Sequence, residues 1–522
     1  VNYRRFRLPD FKAIPRRDYL LAVMTGVLLA AAFPLSGLAP LAWVALVPLL
    51  LTLHRRTPQQ AFTLGFVAGL TAYLGIMYWL NIVMTTYGKL PLVLSILLYV
   101  LLSAYLALYV GAVSWLVRVA EEWRISPVIS LPVAWVAAEF IRAHALTGFP
   151  WASLGYTQYK ILPVIQIADL VGVYGVSFLL TFTNAVCLQV IHCFARREEV
   201  GYPLKSVAAM ALLLFGTVWY GLNELNELDT GSVARISLVQ GNIPQDIKWD
   251  PAFVEATVVV YERLTRSVAN HGTDLVIWPE SALPLFYQDD AVYAGRLRAM
   301  AKELETSLLF GSPAYEREKG RVRYLNSAFL ITAEGRDGGR TDKLHLVPFG
   351  EYVPLGKLLP FVSKMVVGIG DFVPGKALKP LQTNVGPVGV LVCFEGIFPE
   401  LSRRYVAAGS RLLVNITNDA WFGRSSAPWQ HLAMTVFRAV ENRVPVARAA
   451  NTGVSTFISS RGETEQATDL FVEAATRGEV RLGSGRPTIY GRVGDLFAWV
   501  CLLASCGVAG WVSWRHWCKH RL

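Results

Sequence analysis

Eight stretches of the chain are apolar enough to suggest helices across a bilayer: 19–33, 38–53, 61–80, 90–117, 128–141, 172–194, 207–222 and 497–514. About 20 apolar residues in an α-helix cover the ~30 Å hydrocarbon core. The first two stretches are short and read either as two spans or as one broken or re-entrant pair. The first is not expected to be a cleaved signal peptide, because further spans follow it and no small-residue cleavage site is clear. Between 222 and 497 the pattern changes. Short β-rich runs at 234–240, 274–278, 307–311, 328–332, 388–393, 411–417 and 444–449 end in polar, Gly or Pro residues. Helical patterns at 252–269, 291–305 and 431–442 lie among them. Such alternation predicts a layered α/β sandwich with helices outside the sheets. The expected organisation is therefore a transmembrane region of about seven helices (1–230), a globular catalytic domain (231–486), and a last transmembrane helix with its tail (487–522). No low-complexity segment or fixed-period repeat interrupts it.

Composition agrees with a membrane chain. Hydrophobic residues make up 53%, charged residues 17%, and the mean hydropathy is +0.40; soluble proteins carry about a quarter charged residues. A net charge of +11 could suggest nucleic acid, but much of the excess is clustered beside apolar runs. Arg4, Arg5, Arg7, Lys12, Arg16 and Arg17 open the chain; Arg55 and Arg56, Arg118 and Arg124, then Arg196, Arg197 and Lys205 follow in alternate loops, and Arg515, Lys519 and Arg521 close it. The other loops carry Lys89, Arg142 and Lys160. The positive-inside bias predicts both termini in the cytoplasm and residues 231–486 on the far side of the membrane.

Candidate chemistry centres on Cys393. Five cysteines, at 187, 193, 501, 506 and 518, lie in or beside apolar spans, whereas Cys393 is alone in the exported domain. A lone cysteine is often a small buried hydrophobe. Here, however, it ends the strand-like run Gly389-Val390-Leu391-Val392, and helix-compatible sequence starts at Phe398. A strand-to-helix turn can expose a nucleophile beside backbone N–H donors. A thiol of ordinary pKa is only a few per cent thiolate at pH 7, so it needs a base, a cation, or both. Glu280 closes the apolar run Leu275–Pro279, and Lys343 sits in Asp342-Lys343-Leu344-His345. Each alone also reads as an ordinary surface residue.

Trp278-Pro279-Glu280, Lys343 and Cys393-Phe394-Glu395 together resemble the Glu-Lys-Cys triad of the nitrilase (carbon–nitrogen hydrolase) superfamily, and Asn415–Gly423 resembles a further motif of it. With the apolar flanks, and with Phe149-Pro150-Trp151, Val239–Gln245 and Pro348–Pro354, nearly the whole chain resembles the apolipoprotein N-acyltransferase family. That resemblance implies a nitrilase-like αββα sandwich joined to a transmembrane bundle of about eight helices in a bacterial inner membrane, and a monomer. It implies transfer of an acyl chain from the sn-1 position of a phospholipid, through a cysteine thioester, to the α-amino group of a diacylglyceryl-cysteine apolipoprotein. It casts Cys393 as nucleophile, Glu280 as general base and Lys343 as oxyanion-stabilising cation, with supporting roles for Glu351, Glu395 and Trp249. Phe394 stands where the best-known members carry tyrosine.

A site opening on lipid needs mobile cover, and the Trp-, Phe- and Gly-rich stretches 360–374 and 421–429 are the candidates. Two other readings compete. A transporter would bury ionisable groups along its path, and few lie in the spans. A membrane-tethered amidase would keep the same triad and release free acid. His516, Cys518 and His520 form no complete zinc signature. No cofactor is expected.

Overall fold

The computed structural model describes residues 14–34, 36–54, 56–195, 203–227, 230–269, 272–318, 320–352 and 372–519, except for the side chains of 512, 513 and 515–519. Arg4, Arg5, Arg7, Lys12, Arg55, Arg196, Arg197 and Arg521, the His516/Cys518/His520 cluster and nearly all of the 360–374 stretch lie outside that description. The chain divides into two compact units: Val1–Asn81, Leu92–Asn223 and Asp495–Leu522 form one, and Ile82–Pro91 with Glu224–Gly494 the other.

The first unit is helical. Among the described residues, Leu92–Glu122, Val173–Ala195 and Leu204–Asn226 are each long and apolar enough to cross a membrane. Pro58–Ile76 and Leu80–Tyr87, bent by 56°, make a fourth if they form one span. Leu92–Glu122 and Pro58–Ile76 pack through small residues: a methyl on Gly65 would meet Ser114, and one on Gly69 would meet Val110. Small residues allow such close helix approach where lipid offers no hydrophobic driving force. The remaining expected spans fall on shorter or broken helices. Stretch 38–53 splits into a 3₁₀ turn, Ala39–Trp43, and a short helix, Val47–Leu53. Asn184 spans the break, accepting from Leu46 N at 2.8 Å and donating to Ala42 O at 2.9 Å. Backbone freed from a helix at membrane depth requires substitutes of this kind.

Pro127–His144 contains Pro132 and buries two charged side chains. Glu139 accepts from Leu154 N at 2.7 Å and Trp135 Nε1 at 2.9 Å, while Arg142 donates to Ser153 Oγ at 3.2 Å and to the Tyr73 hydroxyl. Arg142, counted above among loop charges, is thus an interior helix residue. Its partners offset the desolvation that would otherwise send it to the surface.

The second unit stacks two six-stranded mixed sheets. The first contains β1 (Val233–Gln240), β2 (Leu275–Ile277), β3 (Ser307–Glu318), β4 (Arg321–Ile331), β5 (Asp337–Asp342) and β12 (Ala474–Arg481), ordered β12-β1-β2-β3-β4-β5. The second contains β6 (Leu381–Thr383), β7 (Gly386–Val392), β8 (Leu412–Thr417), β9 (Val446–Ala450), β10 (Thr456–Ile458) and β11 (Thr464–Glu465), ordered β11-β10-β9-β8-β7-β6. Strands β1-β2-β3 and β7-β8-β9 run parallel, and antiparallel strands flank them. The parallel strands are apolar on both faces because both faces are covered. Leu275 and Ile277 join Leu309, Val390, Val414 and Ala447 in one core, while Val276 and Trp278 join Val258, Leu264 and Leu297 of the helices Val254–Val268 and Ala291–Glu303 in another. Alternation along a strand of period two produces the two cores. Beneath the other sheet, Tyr405 of helix Pro399–Ala407 packs where a methyl on Gly389 would collide.

Candidate active site

The loops that leave the C-terminal ends of β2, β5, β7 and β8 carry the polar groups of the candidate site. Cys393 ends β7 and opens a 3₁₀ turn, Cys393–Ile397, with φ at +55°. A side chain rarely tolerates the left-handed region, so the surrounding contacts must hold the turn. Glu395 does much of this: Oε2 accepts from Val392 N at 2.8 Å, and Oε1 accepts from Leu344 N at 2.6 Å and His345 N at 3.0 Å. One carboxylate therefore fastens the cysteine turn to the segment that carries Lys343. Burial pushes Glu395 up to about 7, even though these amides and Lys343 favour its charged form.

Glu280 is delivered by a ladder that continues past β2: Trp278 N donates to Leu309 O at 2.8 Å, and Gly311 N to Pro279 O at 3.1 Å. Its Oε1 accepts from Asn326 Nδ2 at 2.8 Å, and its Oε2 from Asn418 N at 3.0 Å. Lys343 follows β5, and its ammonium is 1% exposed. Nζ lies 2.9 Å from Glu351 Oε2 and 3.6 Å from Glu280 Oε1. Asn326 Nδ2 also donates to Glu351 Oε1 at 2.8 Å, so one amide bridges both carboxylates. Burial disfavours the Lys343 charge, but Glu351 and then Glu280 outweigh it and hold the ammonium well above its ordinary range. For Cys393, burial and then Glu280 push the thiol well up, against the pull of Lys343. Glu280, Lys343, Glu351, Glu395 and Cys393 thus converge on one buried centre. There the Cys393 thiol, the Glu280 side chain and an ammonium paired with Glu351 share one site.

Residues 25–186 match a family model described as the apolipoprotein N-acyltransferase N-terminal domain, and residues 235–490 match one described as carbon-nitrogen hydrolase. The apolipoprotein N-acyltransferase of Geobacter metallireducens is 58% identical over 98% of each chain. That of Haemophilus influenzae is 33% identical over 92% of this chain and 91% of its own. The chain belongs to the apolipoprotein N-acyltransferase family. An amidase structure from Nesterenkonia sp. superposes loosely on part of it, at 20% identity and a TM-score of 0.38, covering 52% of this chain and 97% of the amidase.

In this N-acyltransferase chain the phenylalanine after Cys393 packs rather than bonds. Phe394 meets Phe398 edge-on at 5.2 Å and lies 5.9 Å from the His345 ring. Burial, then Lys343, pull His345 down to about 4, so this aromatic cluster is uncharged at neutral pH. Trp249 is half-buried, with an indole Nε1 that has no hydrogen-bond partner among the described residues. The stretch 421–429 begins at the turn Asp419–Phe422, where the Tyr87 hydroxyl donates to Ala420 O at 2.8 Å and its ring meets Trp421 edge-on at 5.0 Å. Among the described residues no cluster of His, Cys, Asp and Glu has a metal-holding arrangement.

Sequence reading missed Asn326, Lys248, Gly311 and the group Asp419, His431 and Arg448. Lys248 Nζ donates to the Glu280 carbonyl at 3.0 Å. His431 Nε2 donates to the Cys393 carbonyl at 3.2 Å, and Asn415 Nδ2 to the same oxygen at 3.3 Å. The Gly311 backbone approaches the Glu280 turn so closely that a Cβ there would lie 2.7 Å from Glu280 Cα. Gly311→Ala is therefore expected to lower unfolding stability by about 1–3 kcal/mol, the usual cost of overpacking, and to slow Cys393 acylation by displacing Glu280. Thermal unfolding and single-turnover acylation of the same preparation check both effects.

Proposed function

We infer that the chain transfers a fatty acyl group from the sn-1 position of a membrane phospholipid to the α-amino group of an apolipoprotein's diacylglyceryl-cysteine. The convergence of Glu280, Lys343 and Cys393 in a member of this family supports the reading most. In the first half-reaction Glu280 takes the Cys393 proton as sulfur attacks the ester carbonyl carbon. Lys343 stabilises the tetrahedral oxyanion, a type of contact whose loss costs about two to three decades in rate. The carbon–oxygen bond then breaks, Glu280 returns the proton to the lysophospholipid oxygen, and a thioester remains. In the second half-reaction the amine attacks the thioester, Glu280 receives its proton, and sulfur leaves and is reprotonated. Dividing the transfer through a thioester makes each step easier and gives ping-pong kinetics. Glu351 fixes Lys343, Glu395 holds the nucleophile's turn, and Trp249 contributes to substrate binding.

The helical part keeps the enzyme with its donor. Moving about 14 methylenes from lipid to water, at ~0.8 kcal/mol each, would cost about 11 kcal/mol. We further propose about eight crossings, with both termini cytoplasmic and the catalytic domain, 231–486, in the periplasm of a bacterial inner-membrane enzyme. In this arrangement 1–230 and 487–522 are the membrane regions, the enzyme acts as a monomer, and 360–374 and 421–429 gate lipid entry. Deuterium exchange in 421–429 as slow as in β7 and β8, with and without phospholipid, would remove that segment from the gate.

The deciding experiment gives the purified full chain phospholipid labelled in either the sn-1 or the sn-2 acyl group. The expected result is a hydroxylamine-sensitive protein adduct from the sn-1 label that is chased onto diacylated lipopeptide and is absent in Cys393→Ala. Free fatty acid in place of an adduct would favour a hydrolase. Equal labelling of Cys393→Ala would remove Cys393 from its role.

A further inference from the structure

We propose that Lys248 is a second cation of the reaction centre, whose ammonium balances the negative charge passing from Glu280 to the Cys393 sulfur and on to the acyl oxygen. The inference rests on the acyl-transfer reading above and adds a residue to it. Lys248 lies between β1 and helix Val254–Val268 and is 1% exposed. Its one hydrogen bond among the described residues runs from Nζ to the Glu280 carbonyl, at 3.0 Å. An ammonium has three N–H donors. A neutral carbonyl uses only one of them, and no carboxylate of the described residues lies within ion-pair distance of Nζ.

Lys343 differs in this respect. It sits 2.9 Å from Glu351 and 3.6 Å from Glu280, so most of its charge is matched at rest. A buried, unmatched ammonium is costly, and a methionine-sized apolar side chain would fill the space while giving up only the carbonyl contact. The nearby groups whose charge acts on Lys248 are Glu280 and then Cys393. They are the two ends of the first proton transfer: the Sγ–H bond breaks, the proton goes to the Glu280 carboxylate, and the negative charge appears on sulfur. Once Glu280 is protonated, the ammonium's attraction passes to sulfur and stabilises the thiolate as it attacks. Burial, opposed by Glu280 and then Cys393, pulls Lys248 down to about 8. The ammonium form therefore predominates below that pH and is lost above it.

The test uses the full chain in detergent micelles, native, Lys248→Met and Lys248→Arg, with three readouts: single-turnover acylation by labelled phospholipid from pH 6 to 10, alkylation of Cys393 by iodoacetamide followed by mass spectrometry, and thermal unfolding. Lys248→Met is expected to slow acylation and alkylation at pH 7 by about 10–100-fold, with no fall in unfolding temperature. Native acylation is expected to lose rate as pH rises through about 8, and Lys248→Arg, whose charge persists throughout this range, to lose that limb. Native alkylation of Cys393 in Lys248→Met overturns the proposal. So does slowing that tracks a lowered unfolding temperature, or an alkaline limb unchanged in Lys248→Arg. If Lys248 governs alkylation but phospholipid never labels native protein, the substrate reading fails while the role of Lys248 stands.

Discussion

Glu280→Gln will slow acylation of Cys393 by phospholipid about 10²–10⁴-fold at pH 7, the range typical of a lost general base, yet its thiol will titrate at a lower pH than the native one. The two effects have one source. In the native site burial and then the Glu280 carboxylate hold the thiol well up, so almost no thiolate exists before substrate arrives and the proton must leave during attack. Glutamine keeps the shape and can still accept from Asn326 Nδ2 or from Asn418 N, now 2.8 and 3.0 Å from the two carboxylate oxygens. It cannot take a proton. Removing the carboxylate also removes a negative charge facing sulfur, leaving the pull of Lys343 less opposed, and a nearby anion raises a thiol pKa. Acylation therefore falls while iodoacetamide alkylation begins at lower pH, and single-turnover acylation with a pH profile of alkylation separates them. Native-rate acylation would deny Glu280 its role as base. An unchanged alkylation profile would deny its electrostatic coupling to sulfur.

The parts of the fold legible in the sequence are those whose environment is set by the segment itself. The central parallel strands are buried on both faces, so β2, β7, β8 and β9 stand out as short apolar runs. β5 (Asp337–Asp342) and β12 (Ala474–Arg481) are polar edge strands, with the exposed faces of their kind. Pairing with β4 and β1 makes them strands, not composition. In the helical unit hydropathy locates apolar chain but not its breaks: the interruption within 38–53 depends on Asn184, 138 positions beyond Leu46. The site divides similarly. Glu280 and Cys393 end apolar strands, where a chemical group is conspicuous, and Lys343 is marked only by the motif around it. Asn326 is one polar position inside β4, and Lys248 is a single lysine in the segment between β1 and the helix Val254–Val268. Their importance comes from meeting Glu280, a contact that spacing does not encode.

Asp419→Asn will destabilise the second unit by about 3–5 kcal/mol, the usual effect of removing one member of a buried ion pair. Asp419 Oδ2 lies 2.7 Å from Arg448 Nη2, and both side chains are fully buried. Burial alone would raise the Asp419 pKa, but Arg448 and then His431 prevail and hold it at about 2. The folded value lies below the ~3.9 of an unfolded aspartate, so the stabilisation is complete above that pH and is lost as pH falls towards 2. Linkage makes it worth roughly 2–3 kcal/mol. In the asparagine variant this acid-dependent component disappears and Arg448 is left as an uncompensated buried charge. Asp419→Asn/Arg448→Met removes both charges and is expected to cost less than the two single changes added together. Thermal unfolding between pH 3 and 8 measures each quantity, and additive losses would show that the pair is not coupled. The loss also extends to Cys393. Burial and then Arg448 pull His431 down, against Asp419; its Nε2 donates to the Cys393 carbonyl at 3.2 Å, and its Nδ1 lies 3.2 Å from both Asp419 Oδ1 and Arg448 Nη2. An arginine released from Asp419 can turn from that nitrogen, freeing the ring that steadies the positive-φ turn. Asp419→Asn should therefore slow Cys393 acylation even at temperatures where the protein remains folded.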